Sequence, residues 1–586
     1  MPNIKLIFAV VASLFVGATS FFPSEIYSEW WWFVFWGVAA VMLLYCIVRV
    51  RARKLLHLSL LLMICGGLLT ALTSVRGSVH LRPEVAVSDF IDSDGQMRKL
   101  PFSLTLLEFK TDYYPGMSFP RDFCSRVKVD DREVDISMNR IGRHEGWRIY
   151  QQSFDGSGGS ILTIAYDPWG TGVCYLGFLL FALSGLSMVR RRRLMIPFAL
   201  LAFSLSASAA EPAERQVEFR GRIVPFATVA SELTFKLTGQ QSVAGMGPTD
   251  FVISLMEHPQ QWASAEFIKT KDGYVSVASL YDENGAYLPQ LRYEGGEGEH
   301  DAELLQLDEK VALLSELWRG ELFSPAPQDA LRSEASVRSE VLYVRIQPVR
   351  CFFMLALTLA VLAIFMRRSQ LFSALLFVVG TVIFCWRWWI SGYFPVAGTG
   401  EIMFFTSVCL CGCAWVLARR NSFTGALGLM MAGFAGLLSW LAVKNPVMTP
   451  LMPVLDSPWL SIHVSLVMVS YALLGMTLPL AIAGLFRQRY LQTVMQLLPV
   501  GVYLLGLGII VGAMWANVSW GRYWAWDPKE TWALVTMLLY AIPLHPSLGL
   551  QRRSRLLCLY LIFAFCSIVM TYAGVNYLPS LHAYRT

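Results

Sequence analysis

Four histidines lie at the ends of apolar segments, where an imidazole ring could bind a metal ion. His57 begins one such segment and His545 ends another, whereas His463 begins a third and His582 follows the last. Ionisable side chains are costly inside a membrane and usually face the interior of a helix bundle or a functional site, and neutral imidazole is a common metal ligand. One such histidine is explained equally well by ligation or by an interfacial structural role, but two pairs favour ligation.

An aromatic stretch from Trp515 to Trp532 separates His463 from His582 in sequence. It reads W-A-N-V-S-W-G-R-Y-W-A-W-D-P-K-E-T-W and contains five tryptophans and one tyrosine in eighteen residues. Such rings also gather in belts at membrane surfaces, but a belt needs only a few rings at each helix end. The crowding therefore favours a stacking platform for a flat ligand. The candidate ligand-contacting residues of this stretch are Trp515, Trp520, Gly521, Arg522, Tyr523, Trp524, Trp526 and Asp527.

The end of the aromatic stretch predicts the start of a helix. Asp527 is a suitable N-cap, Pro528 fits the first helical position, and Glu530 at the third position completes a capping box. Capping is a simpler role for Asp527 and Glu530 than contact with a ligand.

Heme fits both groups of residues. Two imidazoles on opposite faces are a known way to hold heme iron, and aromatic rings can cover a porphyrin, which is flat and apolar at its centre. Arg522 or Lys529 could pair with the acidic propionate edge, although either cation could instead be solvated or stabilise the helix end. We therefore expect heme b, bound as a substrate, at His57 with His545 and at His463 with His582.

Composition places the chain among multi-span membrane proteins. It has 586 residues, of which 55% are hydrophobic and only 15% charged. The net charge of +6 does not indicate nucleic-acid binding, because the basic residues form short clusters beside apolar runs, and membrane lipid is the expected surrounding. The expected fold class is all-α and polytopic, with about 13 transmembrane helices, a small β-rich extracytoplasmic domain and a second, mixed extracytoplasmic domain.

The apolar runs define thirteen candidate spans. They lie near 5–22, 30–49, 55–75, 170–189, 194–210, 350–366, 370–387, 399–418, 424–443, 461–485, 493–514, 531–545 and 555–575. Basic clusters occur at every second crossing, as the positive-inside rule requires when the N-terminus is cytoplasmic. These clusters are Arg49 to Lys54, Arg190 to Arg193, Arg367–Arg368, Arg419–Arg420, Arg487–Arg489 and Arg552–Arg555. The aromatic stretch, His463 and His582 are then outside, whereas His57 and His545 are near the cytoplasmic face.

Two polar regions interrupt the spans, and this topology places both outside the cytoplasm. Residues 76–169 alternate like strands and predict a small β-domain, whereas residues 211–348 are mixed in pattern. Residues 190–210 resemble an export signal, with four arginines, a short apolar core and small residues at a cleavage-like site. The expected organisation is 1–75 helical, 76–169 β-rich, 170–210 helical, 211–348 mixed, and 349–586 helical with the aromatic stretch 515–532 as a loop.

The eleven cysteines do not indicate a disulfide framework, because ten lie in or at the edge of apolar segments. Cys409, Cys411 and Cys413 are spaced like metal ligands, but their position within a span favours buried small residues. The chain contains no C-x-x-C motif, so any thiol reduction would need a separate protein.

Several ordered motifs resemble one family of membrane proteins. The run W-G-R-Y-W-A-W-D-P-K-E-T-W resembles the tryptophan-rich signature of heme-handling cytochrome c biogenesis proteins, most closely the CcsA branch of the System II pathway. Segments that agree with it are Arg387-Trp-Trp-Ile-Ser-Gly, Pro395, Glu401, Ser457-Pro-Trp-Leu-Ser-Ile-His463-Val, Leu538-Leu-Tyr-Ala-Ile-Pro-Leu-His545 and Thr571-Tyr-Ala-Gly-Val-Asn.

The first 190 residues resemble the partner family, CcsB or ResB. The matching segments are His57-Leu-Ser-Leu-Leu-Leu, Arg76-Gly-Ser-Val-His80, Asp112-Tyr-Tyr-Pro-Gly, Asp122-Phe-Cys-Ser, Ser137-Met-Asn and Tyr150-Gln-Gln-Ser-Phe-Asp. The chain thus looks like a CcsBA-type fusion. Its β-domain is shorter than that of a full ResB, and residues 211–348 match nothing in either family.

The resemblance implies a cytochrome c synthase of the bacterial inner membrane, with its soluble domains in the periplasm. Heme enters at the inner pair, His57 and His545, and passes to the outer pair, His463 and His582. There an apocytochrome c presents its C-x-x-C-H motif, and the reduced thiols add to the heme vinyl groups. Two other functions remain open from the residues alone: a membrane di-heme b subunit that oxidises quinol, and a heme exporter without attachment chemistry.

Overall fold

The computed structural model describes most of the chain. The described residues are 2–22, 24–49, 53–113, 120–138, 140–155, 158–189, 212–219, 222–282, 287, 302–328, 331–442 and 457–578. Two features predicted above, the span 194–210 and the ligand His582, lie outside these residues.

Three apolar helices open the chain. They are α1 (Pro2–Ala18), α2 (Trp30–Arg49) and α3 (Lys54–Thr73). At 1.5 Å per residue, the twenty residues of α3 reach about 30 Å, the thickness of the hydrocarbon core. Only Ser74 separates helix α3 from the first strand, so the helix connects the membrane directly to the β-domain.

Eight antiparallel strands form one sheet in the order β5-β4-β3-β2-β1-β8-β7-β6. Their bounds are β1 Val75–Leu81, β2 Ala86–Asp92, β3 Met97–Tyr113, β4 Pro120–Val129, β5 Arg132–Ser137, β6 Gly142–His144, β7 Trp147–Phe154 and β8 Ser160–Tyr166. The sheet curls around a core that includes Leu81, Leu104 and Ile164, so Ser125 of β4 donates a hydrogen bond to Gln151 of β7 at 2.7 Å. The β-rich domain predicted in the N-terminal part of the chain is confirmed.

Helix α4 (Gly170–Val189) follows the sheet and packs tightly along α3. Glycines permit the close approach. A Cβ on Gly66 would lie 2.5 Å from the Cys174 sulfur, and one on Gly170 would lie 2.0 Å from Oγ1 of Thr70. The β-domain is therefore fixed to the membrane by two helices that pack against each other.

The mixed region contains short strands and helices around a core that includes Leu233, Phe251 and Leu314. Its elements are β9 Gln216–Phe219, β10 Arg222–Pro225, α5 Phe226–Thr238, α6 Pro248–Glu257, α7 Pro259–Ser264, β11 Ile268–Lys269, β12 Tyr274–Val275, α8 Ala302–Arg319, β13 Ser324–Pro325 and α9 Glu334–Ile346. Helix α9 leads directly into the second set of membrane helices.

The second half is a helical bundle. Its helices are α10 Pro348–Met366, α11 Ser369–Ser391, α12 Thr399–Ala418, α13 Ser422–Ala442, α14 Pro458–Gly475, α15 Thr477–Phe486, α16 Tyr490–Trp520, α17 Pro528–Ala541 and α18 Ser554–Tyr572. One core lies among α10–α13, and another joins α14–α18 to Val16 of α1 and Trp32 of α2. The N-terminal helices thus complete the core of the second half.

Ten helical segments of the described residues are long and apolar enough to cross a membrane, and the polytopic fold class is confirmed. Helix α4 also coincides with a predicted span. The span predicted at 531–545 is instead the fourteen-residue helix α17, which reaches only about 21 Å and gives way to 3-10 turns where Pro543 cannot continue an α-helix. Helix α16 is longer than the span predicted near 493–514. It has 31 residues and includes the first part of the aromatic stretch, up to Trp520.

Candidate functional site

The aromatic stretch begins as helix and only then becomes a loop. Helix α16 continues through Trp515 to Trp520, so the loop starts at Gly521 and is shorter than the predicted 515–532 segment. Gly521 has φ +74°, a left-handed conformation that glycine adopts without steric cost. This turn ends the helix and directs the chain toward α17.

The predicted capping box at the start of α17 is confirmed. The Asp527 carboxylate accepts from the backbone N–H of Lys529 at 3.1 Å, and the Glu530 carboxylate accepts from those of Asp527 at 3.3 Å and Ala525 at 2.8 Å. Both acidic side chains therefore satisfy backbone donors and fix the exit of the loop.

Tyr523 anchors the middle of the loop to the first half of the chain. Its hydroxyl oxygen lies 2.6 Å from Oγ1 of Thr70 in the last turn of α3. Because Thr70 uses its only hydroxyl hydrogen to donate to Asp167 at 2.7 Å, Tyr523 is the donor in this bond. Burial raises the pKa of the Tyr523 phenol, so the hydroxyl keeps the proton that it donates.

Replacing Tyr523 by phenylalanine is expected to remove the hydrogen bond to Thr70 while keeping the packing of the ring. Loss of a buried hydrogen bond costs about 1 to 3 kcal/mol, so the thermal midpoint of the detergent-solubilised protein should fall. Tyr577→Phe is the matched control, since Tyr577 is 90% exposed. Equal midpoints for the two variants would show that the Thr70 contact does not hold the loop.

Trp526 inserts into an aromatic cage made by the N-terminal helices. Its ring stacks on Tyr27 with centroids 5.4 Å apart and an angle of 19°, and meets Trp32 edge-on at 4.8 Å. Trp36 lies at 5.4 Å, and Trp524 of the loop approaches edge-on at 5.5 Å. Such contacts add to the stability given by burial, so rings from outside the predicted stretch hold Trp526 in place.

The β-domain covers the other end of the loop. Arg76 of β1 donates to the backbone oxygen of Trp520 at 2.9 Å, and Arg148 of β7 donates to Oδ1 of Asn517 at 2.7 Å. Tyr150 packs against Gly521 so closely that a Cβ there would lie 2.7 Å from its ring. The first half of the chain therefore holds the aromatic loop on both sides.

The inner histidines, His57 and His545, face each other. Their ring centroids are 6.4 Å apart and their planes are nearly perpendicular, at 78°. Each Nδ1 lies 3.0 Å from a backbone oxygen four residues earlier, that of Arg53 for His57 and that of Ala541 for His545. These hydrogen bonds place the proton on Nδ1 and the lone pair on Nε2 of each neutral ring.

The outer histidine His463 lies in the second turn of α14 and packs on α16. Its Nδ1 is 2.7 Å from the backbone oxygen of Gly508, which orients the ring. A Cβ on Gly512 would lie 2.6 Å from Cε1 and Nδ1 of the same ring. The predicted partner of His463, His582, lies outside the described residues.

Gly512→Ala is expected to displace the His463 ring while leaving the helix intact. Alanine in a helix interior is favoured over glycine by about 0.5–1 kcal/mol, so lower helix propensity would not explain a loss of heme absorbance at the outer site expected from the sequence. Gly67→Ala in α3 is the control, because a Cβ there would meet nothing within 4 Å. The orienting role of this contact would be disproved by normal low-spin absorbance in Gly512→Ala.

Arg522 of the loop lies close to the two acidic residues of the capping box. Burial lowers the pKa of Arg522, and the carboxylates of Glu530 and Asp527 partly oppose this.

Cys409, Cys411 and Cys413 lie along α12. Among the described residues, no group of three histidine, cysteine or acidic side chains could hold a metal ion.

Six residues that contact the aromatic loop were not predicted as site residues from the sequence. The run W-W-W-F-V-F-W at 30–36 was a usable signal for the cage, because it concentrates aromatic rings at the start of α2. The remaining contacts depend on tertiary packing, which no local pattern reveals. The missed residues are Tyr27, Trp32, Trp36, Thr70, Arg76 and Tyr150.

Comparison with known proteins agrees with this division into two halves. The family model described as cytochrome C assembly protein matches residues 350–582, and the ResB-like family model matches residues 51–167. Protein NrfI of Wolinella succinogenes is 27% identical over 643 aligned residues, which cover 83% of this chain and 71% of NrfI. The cytochrome c biogenesis protein CcsA of Synechococcus sp. (strain CC9605) is 33% identical over 282 residues, 39% of this chain and 92% of that protein. CcsA of Parasynechococcus marenigrum is 34% identical over 263 residues, 37% of this chain and 85% of that protein.

The two matches lie in one polypeptide and correspond to the two halves that meet around the aromatic loop. The segment 350–582 contains α10 to α18, and the segment 51–167 contains α3 and the eight-stranded sheet. The chain therefore belongs to the CcsA family of cytochrome c assembly proteins and, with its ResB-like region, is a multi-pass cytochrome c biogenesis protein of the fused CcsBA type.

Proposed function

We propose that this protein carries heme b across the bacterial inner membrane and attaches it covalently to an apocytochrome c with a C-x-x-C-H motif in the periplasm. Heme is the substrate, first held by His57 and His545 near the cytoplasmic face and then by His463 and His582 beside the aromatic loop. Separate proteins keep the apocytochrome thiols reduced.

The arrangement of His57 and His545 carries this proposal. Two imidazoles bound to opposite sides of one metal ion have ring centres roughly 6 Å apart, because each metal–nitrogen bond is about 2 Å and the ring centre lies about 1 Å beyond the nitrogen. The observed separation is 6.4 Å. Both rings also have Nδ1 engaged by backbone oxygens, so Nε2 of each is the nitrogen that can bind iron.

Helix α3 connects the two proposed heme positions. His57 lies in its first turn, and Thr70 in its last turn binds Tyr523 of the aromatic loop. Thirteen residues separate His57 from Thr70, so the inner pair and the loop are about 20 Å apart along the helix. The aromatic loop is therefore well separated in depth from the inner pair.

The attachment chemistry needs orientation more than acid–base groups. Each thioether forms when a thiol S–H adds across a vinyl C=C bond: the sulfur bonds to one carbon and the hydrogen goes to the other. Atoms and electrons balance without an external oxidant or reductant. Fixing the porphyrin on the loop supplies proximity and orientation, which lower the barrier to such additions, and His463 oriented by Gly508 would fix the iron.

Family membership favours this function over a quinol-oxidising di-heme subunit. The matched relatives are named as cytochrome c biogenesis proteins. An exporter without attachment chemistry would need no fixed loop beside its exit site, whereas the packing of Trp526 on Tyr27 and Trp32 supports a loop that is held in place to present heme to a protein.

The test is coexpression of the full chain with a C-x-x-C-H apocytochrome, followed by denaturation and a pyridine hemochrome spectrum. Saturated thioether positions shift this spectrum from that of heme b. We expect covalent heme with the wild type and a strong loss with His463→Ala, whereas His258→Ala, which replaces an exposed histidine, should match the wild type. Heme that is always extractable would disprove attachment, and a quinol-dependent redox change in its place would support the electron-transfer function.

A further inference from the structure

We infer that the junction between the β-domain and the aromatic loop binds carboxylates and receives the propionate groups of heme held at the outer site. The residues concerned are Arg76 and Tyr150 of the β-domain, with Ser519 and Arg522 of the aromatic stretch. The inference rests on the proposed function, which places heme at His463.

Three arginines form one row across the sheet. Arg76 of β1 and Arg148 of β7 both lie opposite Ala165 of β8, and Arg143 of β6 lies opposite Arg148. Residues directly opposite each other in antiparallel strands share a face, and like charges placed in this way destabilise the sheet. The row therefore favours a negatively charged partner on that face.

The hydrogen-bond partners that the protein supplies to Arg76 and Arg148 are neutral. Arg76 donates to the backbone oxygen of Trp520, and Arg148 donates to the side-chain oxygen of Asn517. The C-terminal end of helix α16 offers only about half a negative charge. In the described part of the chain, Arg76, Arg148 and Arg522 form no ion pair with a carboxylate. Burial together with the charges of Arg522 and Arg148 lowers the pKa of Arg76 to about 10.

Buried donors that lack acceptors lie on Tyr150, which packs against Gly521, and along residues 519–524 of the aromatic stretch. They are the hydroxyls of Tyr150 and Ser519, Nε of Arg522 and the indole nitrogen of Trp524, and none has a hydrogen-bond partner among the described residues. Tyr150 is 2% exposed and Ser519 is 5% exposed. Buried donors without acceptors are unfavourable, so the junction is stabilised when an acceptor enters between the loop and the β-domain. An ionised carboxylate is suited to this, because its two oxygens accept several hydrogen bonds.

The distance between this junction and His463 favours heme as the source of the carboxylates. His463 contacts α16 at Gly508 and Gly512, and Ser519 lies seven residues beyond Gly512. Seven residues are close to two full helical turns, so Ser519 is on the same face of α16 and about 10 Å farther along. This distance is comparable to that from the iron of a heme to its propionate oxygens. An acidic side chain of the apocytochrome is the competing source.

The experiment compares ferric heme with its dimethyl ester, in which both propionates are neutral. The full chain carries His57→Ala so that only the outer site is titrated, and binding is followed by Soret absorbance. We expect heme to bind about tenfold tighter than the ester or more, as charge-assisted hydrogen bonds predict. Arg76→Gln and Tyr150→Phe should each weaken heme binding, leave ester binding unchanged and bring the ratio toward one. Arg132→Gln, at the exposed first residue of β5, is the control.

The outcomes separate this inference from the proposed function. Equal affinities for heme and ester in the parent protein, or an unchanged ratio in both Arg76→Gln and Tyr150→Phe, would overturn the carboxylate site while leaving the outer heme site in place. Unchanged heme affinity with a loss of apocytochrome binding in the same variants would assign the donors to the acidic peptide instead. Absence of any binding that depends on His463 would overturn both the proposed function and this inference.

Discussion

His57→Gly and His545→Gly are each expected to lower the heme content of the purified protein by about tenfold or more. Loss of even an outer-shell partner of a metal ligand costs about 10- to 100-fold in affinity, and loss of the ligand itself should cost at least as much. The two rings face each other at 6.4 Å, so one histidine cannot replace the function of the other. Heme per protein, measured by pyridine hemochrome, and the reduced visible spectrum are the observables.

Adding free imidazole to the glycine variants tests whether the lost ring itself binds heme. Glycine leaves a cavity where the ring was, and free imidazole in that cavity should restore both heme content and the low-spin spectrum. His258→Gly is the matched control, because His258 is exposed. His463→Gly should retain heme at the inner pair while losing covalent attachment. If heme content is normal in both inner variants, the inner pair is not a heme site.

Local sequence signals predicted those features that short segments determine by themselves. The capping box at Asp527 and Glu530 follows from residue types at fixed spacing, and the structure contains it. The membrane helices follow from long apolar runs, because the bilayer requires backbone hydrogen bonds to be satisfied within each span. The depth of His57 and His545 in their segments likewise predicted that these two rings lie at one level, and the structure places their centroids 6.4 Å apart.

Long-range contacts explain what the sequence did not reveal. Trp526 stacks on Tyr27, and Tyr523 binds Thr70, although several hundred residues separate the partners. The row formed by Arg76, Arg148 and Arg143 depends on strand register, which changes side-chain faces with a shift of one residue. Such pairings emerge only when the two halves of the chain pack together.

Glu340→Gln is expected to lower the free energy of unfolding by about 3 to 5 kcal/mol, the cost of breaking a buried ion pair from one side. Glu340 is fully buried and accepts from Arg222 at 3.0 Å, from Arg332 at 2.5 Å and from Thr228 at 3.2 Å. Glutamine keeps the size of the side chain but leaves two guanidinium groups without their counter-charge. Thermal midpoints and limited proteolysis of the purified protein measure the loss.

The control is Glu321→Gln, which breaks an exposed pair with Arg319 and should cost at most about 1 kcal/mol. A second comparison, the triple variant Arg222→Met/Arg332→Met/Glu340→Leu, tests the cause: apolar residues of similar volume should recover much of the stability. Equal stability of Glu340→Gln and Glu321→Gln would contradict the proposed cost of buried charge.

The same ion cluster helps to attach the mixed region 211–348 to the membrane helices. Arg332 also donates to the backbone oxygen of Ile390 at 3.1 Å, and Trp386 of α11 donates to Ser339 of α9 at 2.6 Å. Glu340 therefore stabilises the contact between this region and the membrane helices, close to the buried pair of Arg387 and Glu401. If the region positions the apocytochrome, Glu340→Gln should reduce covalent attachment while leaving heme at the inner histidines unchanged. A parallel loss of both would instead mean that the ion cluster supports the whole bundle.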